Sequence, residues 1–566
     1  VNGGKNTIDK IYGNTSGLTK GEKNNISRIY RRKIPKNEII TLELNRTLST
    51  ISKEIKKNIT ILINRAGKIE FVFIGEPSEF PFNELIGRKR ESKFRLKGYR
   101  IVRTNLKSFE LSQPDLITLV NERLDMIALV EVKHDGLPGK FSYAKIISGE
   151  DSAEARWEIS RFSNLGEVNI NFEYEISDIE SDLEKTYYKK GGSSDAEGVI
   201  LVGYDAKYRY IAENSLSELE ALANSAGKII LDKQIQIRSK IDPRYLIGKG
   251  KLREIILHAK HLGAETIIFD AELTPTQAKE ISKEADLKIL DRSQLIIEIF
   301  AKHATTNEGK IQVRLAYLKY NLPRLRGKGI ELSQLGGGIG TRGPGEKKLE
   351  QERRNARREI DQLEKEIDAL RKRREHTRKN RKITGIPTVS FIGYTNVGKS
   401  TLFNLLTKSS VLTQDKLFST LNPTTRKLML PSGNHVLITD TVGFISKLPE
   451  ELKNAFRATL EEIGEADLLV HIADASDPNV DERIESVNNI IESMNYGEIP
   501  RLLIFNKEDK SDMQTVRNLK KNYSAPVVSA LDKSTKDIIL NEIKNLIETN
   551  VKKEVKEPDT KLKLTG

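Results

Sequence analysis

The sequence predicts a multidomain α/β protein, and three observations lead there. The chain has 566 residues, which at ~150 residues per domain argues for roughly three or four hydrophobic cores. Short apolar runs alternate with helical stretches in residues 197–303 and again after residue 388, the pattern of strands feeding crossover helices in parallel sheets. Between those blocks lie two long segments whose apolar residues fall at heptad-like spacing, the mark of packed helices. The expected domains are 1–195, 196–305, 306–384 and 385–551, with a basic tail at 552–566.

In the first 195 residues, Thr60–Ile63, Ile69–Ile74 and Ile127–Val132 read as strands. Asn64-Arg65-Ala66-Gly67-Lys68 makes a hairpin turn, and Asp115–Glu122 reads as a helix. This is an α/β extension. Lys190-Gly191-Gly192-Ser193-Ser194 reads as its linker to the next domain. There, Val199–Val202, Ala264–Phe269 and Leu287–Leu290 read as strands, with helices over Ser215–Ser225, Leu252–His261 and Pro275–Glu284. A small parallel α/β domain follows from that alternation. Gly248-Lys249-Gly250-Lys251 within it is, taken alone, more often a turn than a phosphate site.

Ile311, Leu315, Leu318 and Leu322 form one apolar seam, ending at Pro323; Ile360, Leu363, Ile367 and Leu370 form another. Two such helices are expected to pack as an antiparallel hairpin with charged faces outward. Residues 351–382 carry 13 Lys/Arg against 7 Asp/Glu. The turn between the helices, Leu335 to Lys348, holds Gly336, Gly337, Gly338, Gly340, Gly343 and Gly345 with Arg342, Lys347 and Lys348. A glycine-rich basic loop follows a phosphate backbone closely because no Cβ intervenes, so RNA contact is the preferred reading and a flexible linker the plain one.

The last large domain opens on Gly393-Tyr394-Thr395-Asn396-Val397-Gly398-Lys399-Ser400, a complete G-x-x-x-x-G-K-[ST] pattern. It follows the apolar run Thr388–Ile392 and precedes the helical run Thr401–Lys408. Amide N–H groups of such a loop cradle phosphates, Lys399 neutralises the β and γ phosphates, and the Ser400 hydroxyl ligates Mg²⁺. Downstream, the strand Val436–Thr439 ends in Asp440-Thr441-Val442-Gly443. Asp440 suits the Mg²⁺ through water, and Gly443 offers its N–H to a γ-phosphate. The strand Leu502–Phe505 ends in Asn506-Lys507-Glu508-Asp509. An Asp there accepts from the N1–H and N2–H edge of guanine, which adenine lacks. Ser529-Ala530-Leu531 follows Pro526–Val528 and suits a backbone N–H facing guanine O6. Each motif alone is weak; their order and their strand ends together predict a GTP-hydrolysing domain that takes GTP/GDP and Mg²⁺.

Between Ser400 and Asp440 lies Leu417-Phe418-Ser419-Thr420-Leu421-Asn422-Pro423-Thr424-Thr425-Arg426. A switch loop must supply a Thr to Mg²⁺ and the γ-phosphate; spacing leaves Thr420, Thr424 and Thr425 open. Phe444 follows Gly443 where Ras-like enzymes place a water-orienting Gln. Slow intrinsic hydrolysis, completed by a partner, is the expectation.

Composition sets the surroundings. Cysteine is absent, so disulfides and thiolate metal sites are excluded. The start, Val1-Asn2-Gly3-Gly4-Lys5, does not read as a signal peptide, and no apolar run approaches the ~20 residues of a membrane span. A net charge of +14 points to a polyanionic partner.

From about Gly198 to Val551 the chain resembles the HflX GTPases, of the translation-factor-related class near the Obg group. The resemblance rests on Gly248-Lys249-Gly250-Lys251, Leu318-Lys319-Tyr320-Asn321-Leu322-Pro323-Arg324-Leu325, the Gly336–Glu346 loop with Glu350-Gln351-Glu352-Arg353-Arg354, and Phe418–Arg426. It implies a cytoplasmic protein that binds the large ribosomal subunit in its GTP form and splits or remodels stalled or stressed ribosomes. The alternative reading is a GTP-dependent RNA-binding or ribosome-assembly factor. DNA is not an expected partner, and the chain is expected to act as a monomer. The resemblance also implies that Thr420 is the Mg²⁺-linked switch residue, making Ser400 and Thr420 the candidate metal ligands and Lys399, Thr420 and Gly443 the candidate catalytic residues. Candidate nucleotide contacts are Gly393 through Thr401, Phe418, Ser419, Thr420, Leu421, Asn422, Asp440 through Gly443, Asn506 through Asp509, and Ser529 through Leu531. Shorter members lack residues 1–195. Within them, Tyr99–Val132 resembles the JAMM metallopeptidase fold, whose His-x-His-Pro and Ser-x-x-Asp pattern binds zinc. Ser112-Gln113-Pro114-Asp115 matches, but Arg103 and Asn105 stand where the histidines belong. Arg does not ligate zinc as imidazole does, so a metal-free contact module is expected.

Overall fold

The structure is a computed structural model. It describes residues 10–86, 95–147, 157–189, 196–285, 287–324, 344–383, 386–407, 418, 424–441, 443–445, 452 and 463–554. Packing divides the chain into two compact units. One comprises Val1–Ala212, Lys228–Ile268 and Ile281–Ile289; the other comprises Glu213–Gly227, Phe269–Glu280 and Leu290–Gly566.

The first unit begins with the extension. Its strands are β1 (Ile11–Gly13), β2 (Ile59–Asn64), β3 (Ile69–Ile74), β4 (Tyr99–Asn105), β5 (Met126–Val132), β6 (Pro138–Ile146) and β7 (Trp157–Phe162). They form one mixed sheet in the order β1-β3-β2-β4-β5-β6-β7. The helices are α1 (Lys20–Ser27), α2 (Leu42–Ile55), α3 (Phe82–Leu85), α4 (Gln113–Asn121) and α5 (Phe172–Lys189). The β2–β3 hairpin turns at Asn64–Lys68 as expected, with Gly67 at φ +79° where a Cβ would strike the Ile34 carbonyl. An unbroken apolar core runs from Ile26 to Leu183. Strand β4 buries Arg100 and Arg103 on opposite faces, three residues apart on a period of two. Arg100 donates to the carbonyls of Ile39 and Asn64 and lies 4.3 Å over the Phe172 ring.

Strands β8 (Gly198–Asp205), β9 (Ile229–Ile237), β10 (Thr266–Phe269) and β11 (Lys288–Asp291) form a four-stranded sheet ordered β11-β10-β8-β9, with β8 and β9 parallel. Helices α6 (Arg209–Ser225), α7 (Lys249–His261), α8 (Pro275–Glu284) and α9 (Arg292–His303) alternate with these strands along the chain; α7 falls in the first unit, and α9 with most of α6 and α8 in the second. Within the first unit α7 is tied to the extension: Arg123 of that module donates to the Lys260 carbonyl at 3.0 Å, and Leu257 packs against its core.

In the second unit, α10 (Asn307–Asn321) and α11 (Pro344–Ile383) meet through Leu315, Leu318, Ala356 and Ile360, flanked by Leu322, Leu363 and Ile367. Here the sequence expectation needs correction. Arg314 pairs with Glu359 at 2.7 Å and Lys319 with Glu364 at 2.7 Å, the same offset in both. The two helices therefore run parallel in this stretch, not antiparallel. A heptad seam serves either direction, and the long connection between them can span the length of α10.

The final sheet has the order β13-β14-β12-β15-β16. Its strands are β12 (Thr388–Gly393), β13 (Thr424–Met429), β14 (His435–Asp440), β15 (Leu468–Asp474) and β16 (Arg501–Asn506). All neighbours are parallel except the edge strand β13, antiparallel to β14. Among the described residues its helices are α12 (Lys399–Thr407), α13 (Val480–Ser493), α14 (Met513–Tyr523) and α15 (Thr535–Glu554). The carboxyl ends of β12, β14, β15 and β16 fall together, which is where an open parallel sheet presents a ligand site.

Candidate nucleotide site

Strand β12 delivers the chain to the phosphate loop, and three backbone positions shape the turn. Gly393 sits at φ +149° with its missing Cβ aimed at the Ile472 carbonyl, 2.2 Å away. Gly398, at φ +91°, would drive a Cβ into Asn506 Nδ2 at 2.2 Å. Asn396 takes the left-handed region at φ +62°, which asparagine tolerates better than most. Helix α12 then starts at Lys399. The Lys399 ammonium is buried and donates to the carbonyls of Gly393 (3.2 Å) and Tyr394 (2.7 Å). Burial pushes its pKa down to about 8, with Asp440 opposing.

Strand β14 brings Asp440 against the start of α12, and Ser400 Oγ donates to its Oδ2 at 2.7 Å. Thr441 Oγ1 donates to the Phe391 carbonyl. A Cβ on Gly443 would lie 2.9 Å from Lys399 Nζ and 3.0 Å from Thr395 Cα, so the backbone passes close against the phosphate loop. Phe444 is buried and pairs with that loop by its backbone: its N–H reaches Gly393 O at 3.0 Å, and its carbonyl accepts from Thr395 N–H at 2.8 Å.

On the opposite side, Asn506 is almost wholly enclosed and acts as a clip. Its Nδ2 donates to the Val397 carbonyl at 2.8 Å, and its Oδ1 accepts from Ala530 N–H at 2.9 Å. Lys507 adopts φ +66° and its ammonium pairs with Asp474 at 2.7 Å. Asp509 is exposed, accepting from Ser529 Oγ at 2.5 Å, and Leu531 is exposed beside it. Glu508 N–H meets the Val528 carbonyl. Thus Gly393–Thr401, Asp440, Thr441, Gly443, Asn506–Asp509 and Ser529–Leu531 share one end of the sheet. Phe418 is buried instead against Phe300 of α9, ring centroids 4.6 Å apart. Ser419, Thr420, Leu421, Asn422, Val442 and residues 335–343 of the glycine-rich loop, Arg342 among them, lie outside the described residues, as do the side chains of Lys347 and Lys348; Pro344–Lys348, expected in that loop, instead open helix α11.

Sequence reasoning missed Asp474 and His471 on β15. Asp474 ends β15 level with Asn506 at the end of β16, and an Asp closing an apolar strand run was the available signal. His471 is buried, and burial followed by the charges of Arg501 and Lys399 lowers its pKa to about 4, leaving it neutral at physiological pH.

In the extension, the Arg103 guanidinium lies between Glu76 and Asp115, the latter at 2.5 Å. Ser112 donates to Asp115 from both its N–H (2.8 Å) and its hydroxyl (2.7 Å), so the Ser-x-x-Asp element is a capping box at the start of α4. A metal ion here would meet a fixed positive charge. Among the described residues no group of three or more His, Asp or Glu side chains is gathered to hold a metal, and no helix is long and apolar enough to cross a membrane.

Three family models cover most of the chain from residue 213 onward. They are a GTP-binding GTPase N-terminal model over 213–301, a GTP-binding GTPase middle-region model over 303–381, and a 50S ribosome-binding GTPase model over 388–507. GTPase HflX of Caldanaerobacter subterraneus is 46% identical over 58% of this chain and 76% of its own length. GTPase HflX of Alkalihalophilus pseudofirmus is 46% identical over 56% and 75%. A GTP-binding protein of Sulfolobus solfataricus, crystallised with GDP, is 25% identical over 62% and 99%, with a TM-score of 0.34. With the phosphate loop, the Asp440–Gly443 turn and the Asn506–Asp509 turn converging at one sheet edge, the chain is a GTP-hydrolysing enzyme and belongs to the HflX GTPase family.

Proposed function

We propose that this GTPase binds the large ribosomal subunit in its GTP form and splits or remodels stalled ribosomes, in the cytoplasm. One observation carries the reading: residues 388–507 match a model described as a 50S ribosome-binding GTPase. The basic surplus of residues 351–382 supports it, because a polyanionic partner is what such a surplus attracts.

The proposed roles draw on the geometry where it is described and, for Thr420, on the family resemblance. Phosphate-loop amides receive the phosphates, and Lys399, held by two loop carbonyls, neutralises the β and γ groups. Ser400 and Asp440 place two hard oxygen donors side by side, a set that fits Mg²⁺; the ion would be held by Ser400 and by Thr420, with Asp440 on its hydration shell. Bound there, Mg²⁺ supplies charge neutralisation of the phosphates. Gly443 offers its N–H to the γ-phosphate, and Asp509 reads the N1–H and N2–H edge of guanine; the Ala530 N–H, bonded to Asn506 Oδ1 in this structure, would reach O6 only by sharing or leaving that bond. Phe444 brings no hydrogen-bonding side chain to the attacking water, so the ribosome completes the hydrolytic site.

Sedimentation with purified subunits tests the proposal. The GTP-analogue form should pellet with the large subunit and the GDP form should not, because ligand and partner share one coupling energy. Replacing Arg342, Lys347 and Lys348 together by Ala should weaken pelleting and leave nucleotide affinity intact. Equal pelleting of both nucleotide forms would overturn the proposal.

A further inference from the structure

Tyr394 is the second residue of the phosphate loop, yet its side chain turns away from the loop's centre. It is buried, and its hydroxyl donates to Glu218 on α6. The other Glu218 oxygen accepts from Arg292 at the start of α9. Arg292 is only 2% exposed and also donates to Asp270 at 2.9 Å, whose second oxygen accepts from Ser215 Oγ at 2.5 Å. Burial works against the Arg292 charge, but Glu218 and Asp270 outweigh it and hold its pKa above the ordinary value. The Arg483 guanidinium covers the Tyr394 ring at 4.8 Å and is itself paired to Asp477 at 2.6 Å. The same helix α9 receives Phe418 on Phe300.

This chain of bonds ends on the atom that matters. The Tyr394 carbonyl is the nearer of the two that hold Lys399 Nζ. Fixing the Tyr394 ring on one face and its hydroxyl at the tip fixes that carbonyl, and with it the lysine that meets the phosphates. We propose that Glu218, braced by Arg292 and Asp270, is a positioning residue for the nucleotide: it acts through Tyr394 to hold the phosphate loop and Lys399 in the arrangement that receives GTP. The residues lie in segments matched by two different family models, 213–301 and 388–507. Nucleotide affinity is therefore set partly outside the domain that carries the nucleotide motifs.

The test uses the full-length protein with fluorescent GDP titration and steady-state GTP hydrolysis. Tyr394→Phe removes one hydroxyl and keeps the ring under Arg483. A hydrogen bond to a charged acceptor is strong enough that its loss should weaken GDP binding and raise the KM for GTP by about tenfold, with kcat changing less than about twofold. Glu218→Gln should do the same. The double variant should be no worse than either single one, because both cut the same link. Hydrogen exchange at the amides of residues 393–400 should quicken in both single variants, which gives a second reading should either variant lose stability. Wild-type KM and exchange in both variants, or strictly additive effects in the double one, would show the link to be a packing contact without influence on the loop.

Discussion

Asn506→Ala removes the clip between the phosphate loop and the Ser529-Ala530 turn. A buried bond to the Val397 carbonyl and a half-buried one from Ala530 N–H go, and Asn506 itself is 1% exposed. A partner left unpaired in the interior costs about 1–3 kcal/mol, in full for the Val397 carbonyl and in part for the half-buried Ala530 N–H, so the nucleotide-free protein should lose roughly 2–4 kcal/mol of stability. If holding the Ser529-Ala530 turn against the phosphate loop without the clip costs about 2.8 kcal/mol that binding must supply, GDP affinity should fall by on the order of a hundredfold. Urea unfolding gives the first number if the probe is chosen with care. The one tryptophan is Trp157, on β7 of the extension. Its fluorescence should shift little, while the far-UV circular dichroism transition moves to lower urea. Asn506→Asp makes a sharper control: it keeps the acceptor for Ala530 but sets an oxygen against the Val397 carbonyl, and it should bind GDP no better than the alanine variant. If Asn506→Ala unfolds at the wild-type midpoint and binds GDP within about twofold of wild type, the clip reasoning is wrong.

Asp509→Asn should move base preference from guanine toward xanthine, read by competition of GDP and XDP for the labelled nucleotide; unchanged preference would remove Asp509 from base reading. Arg103→Ala leaves the buried Asp115 without its cation and should lower stability by about 3–5 kcal/mol, followed by Trp157 fluorescence in urea. Metal analysis of the full chain should find no stoichiometric zinc, and one bound ion per chain would contradict the Arg103 reading. Burial opposes the charge of Glu197, but Lys228 and Thr266 hold its pKa below the usual carboxylate range. Its contribution is thus present above the unfolded pKa and lost as pH falls through the lower folded value. Glu197→Gln should be destabilising at pH 7, with the penalty shrinking as pH falls through the lowered folded pKa, measured by thermal melting across pH.

The nucleotide end of the fold was legible because its motifs require particular strand ends: β12, β14 and β16 stop where Gly393, Asp440 and Asn506 stand. Strand β13 was hidden inside the expected switch loop, since an edge strand half in water needs no apolar alternation and Thr424-Thr425-Arg426-Lys427 has none. Strand β9 was missed for a similar reason, with Asp232, Lys233 and Gln234 interrupting it. The direction of α11 against α10 was not readable, because identical seams pack either way. At the site, residue identity announced Lys399 and Asp509, but no spacing rule links Tyr394 to Glu218, 176 residues earlier. The same holds for Arg103, whose partner Glu76 sits on a neighbouring segment and carries no motif on this side of the match.

The bond from Arg123 to the Lys260 carbonyl, with Leu257 half-buried against the extension's core, bears on how this protein should be dissected. Trimming the chain back to residue 196 would not return a shorter relative. It would open a greasy scar on α7, with a leucine and a backbone carbonyl suddenly facing water, and a sticky or sluggish fragment could be mistaken for the loss of a biological activity. Surface substitutions that leave this seam closed are the cleaner instrument for asking what the extra module contributes.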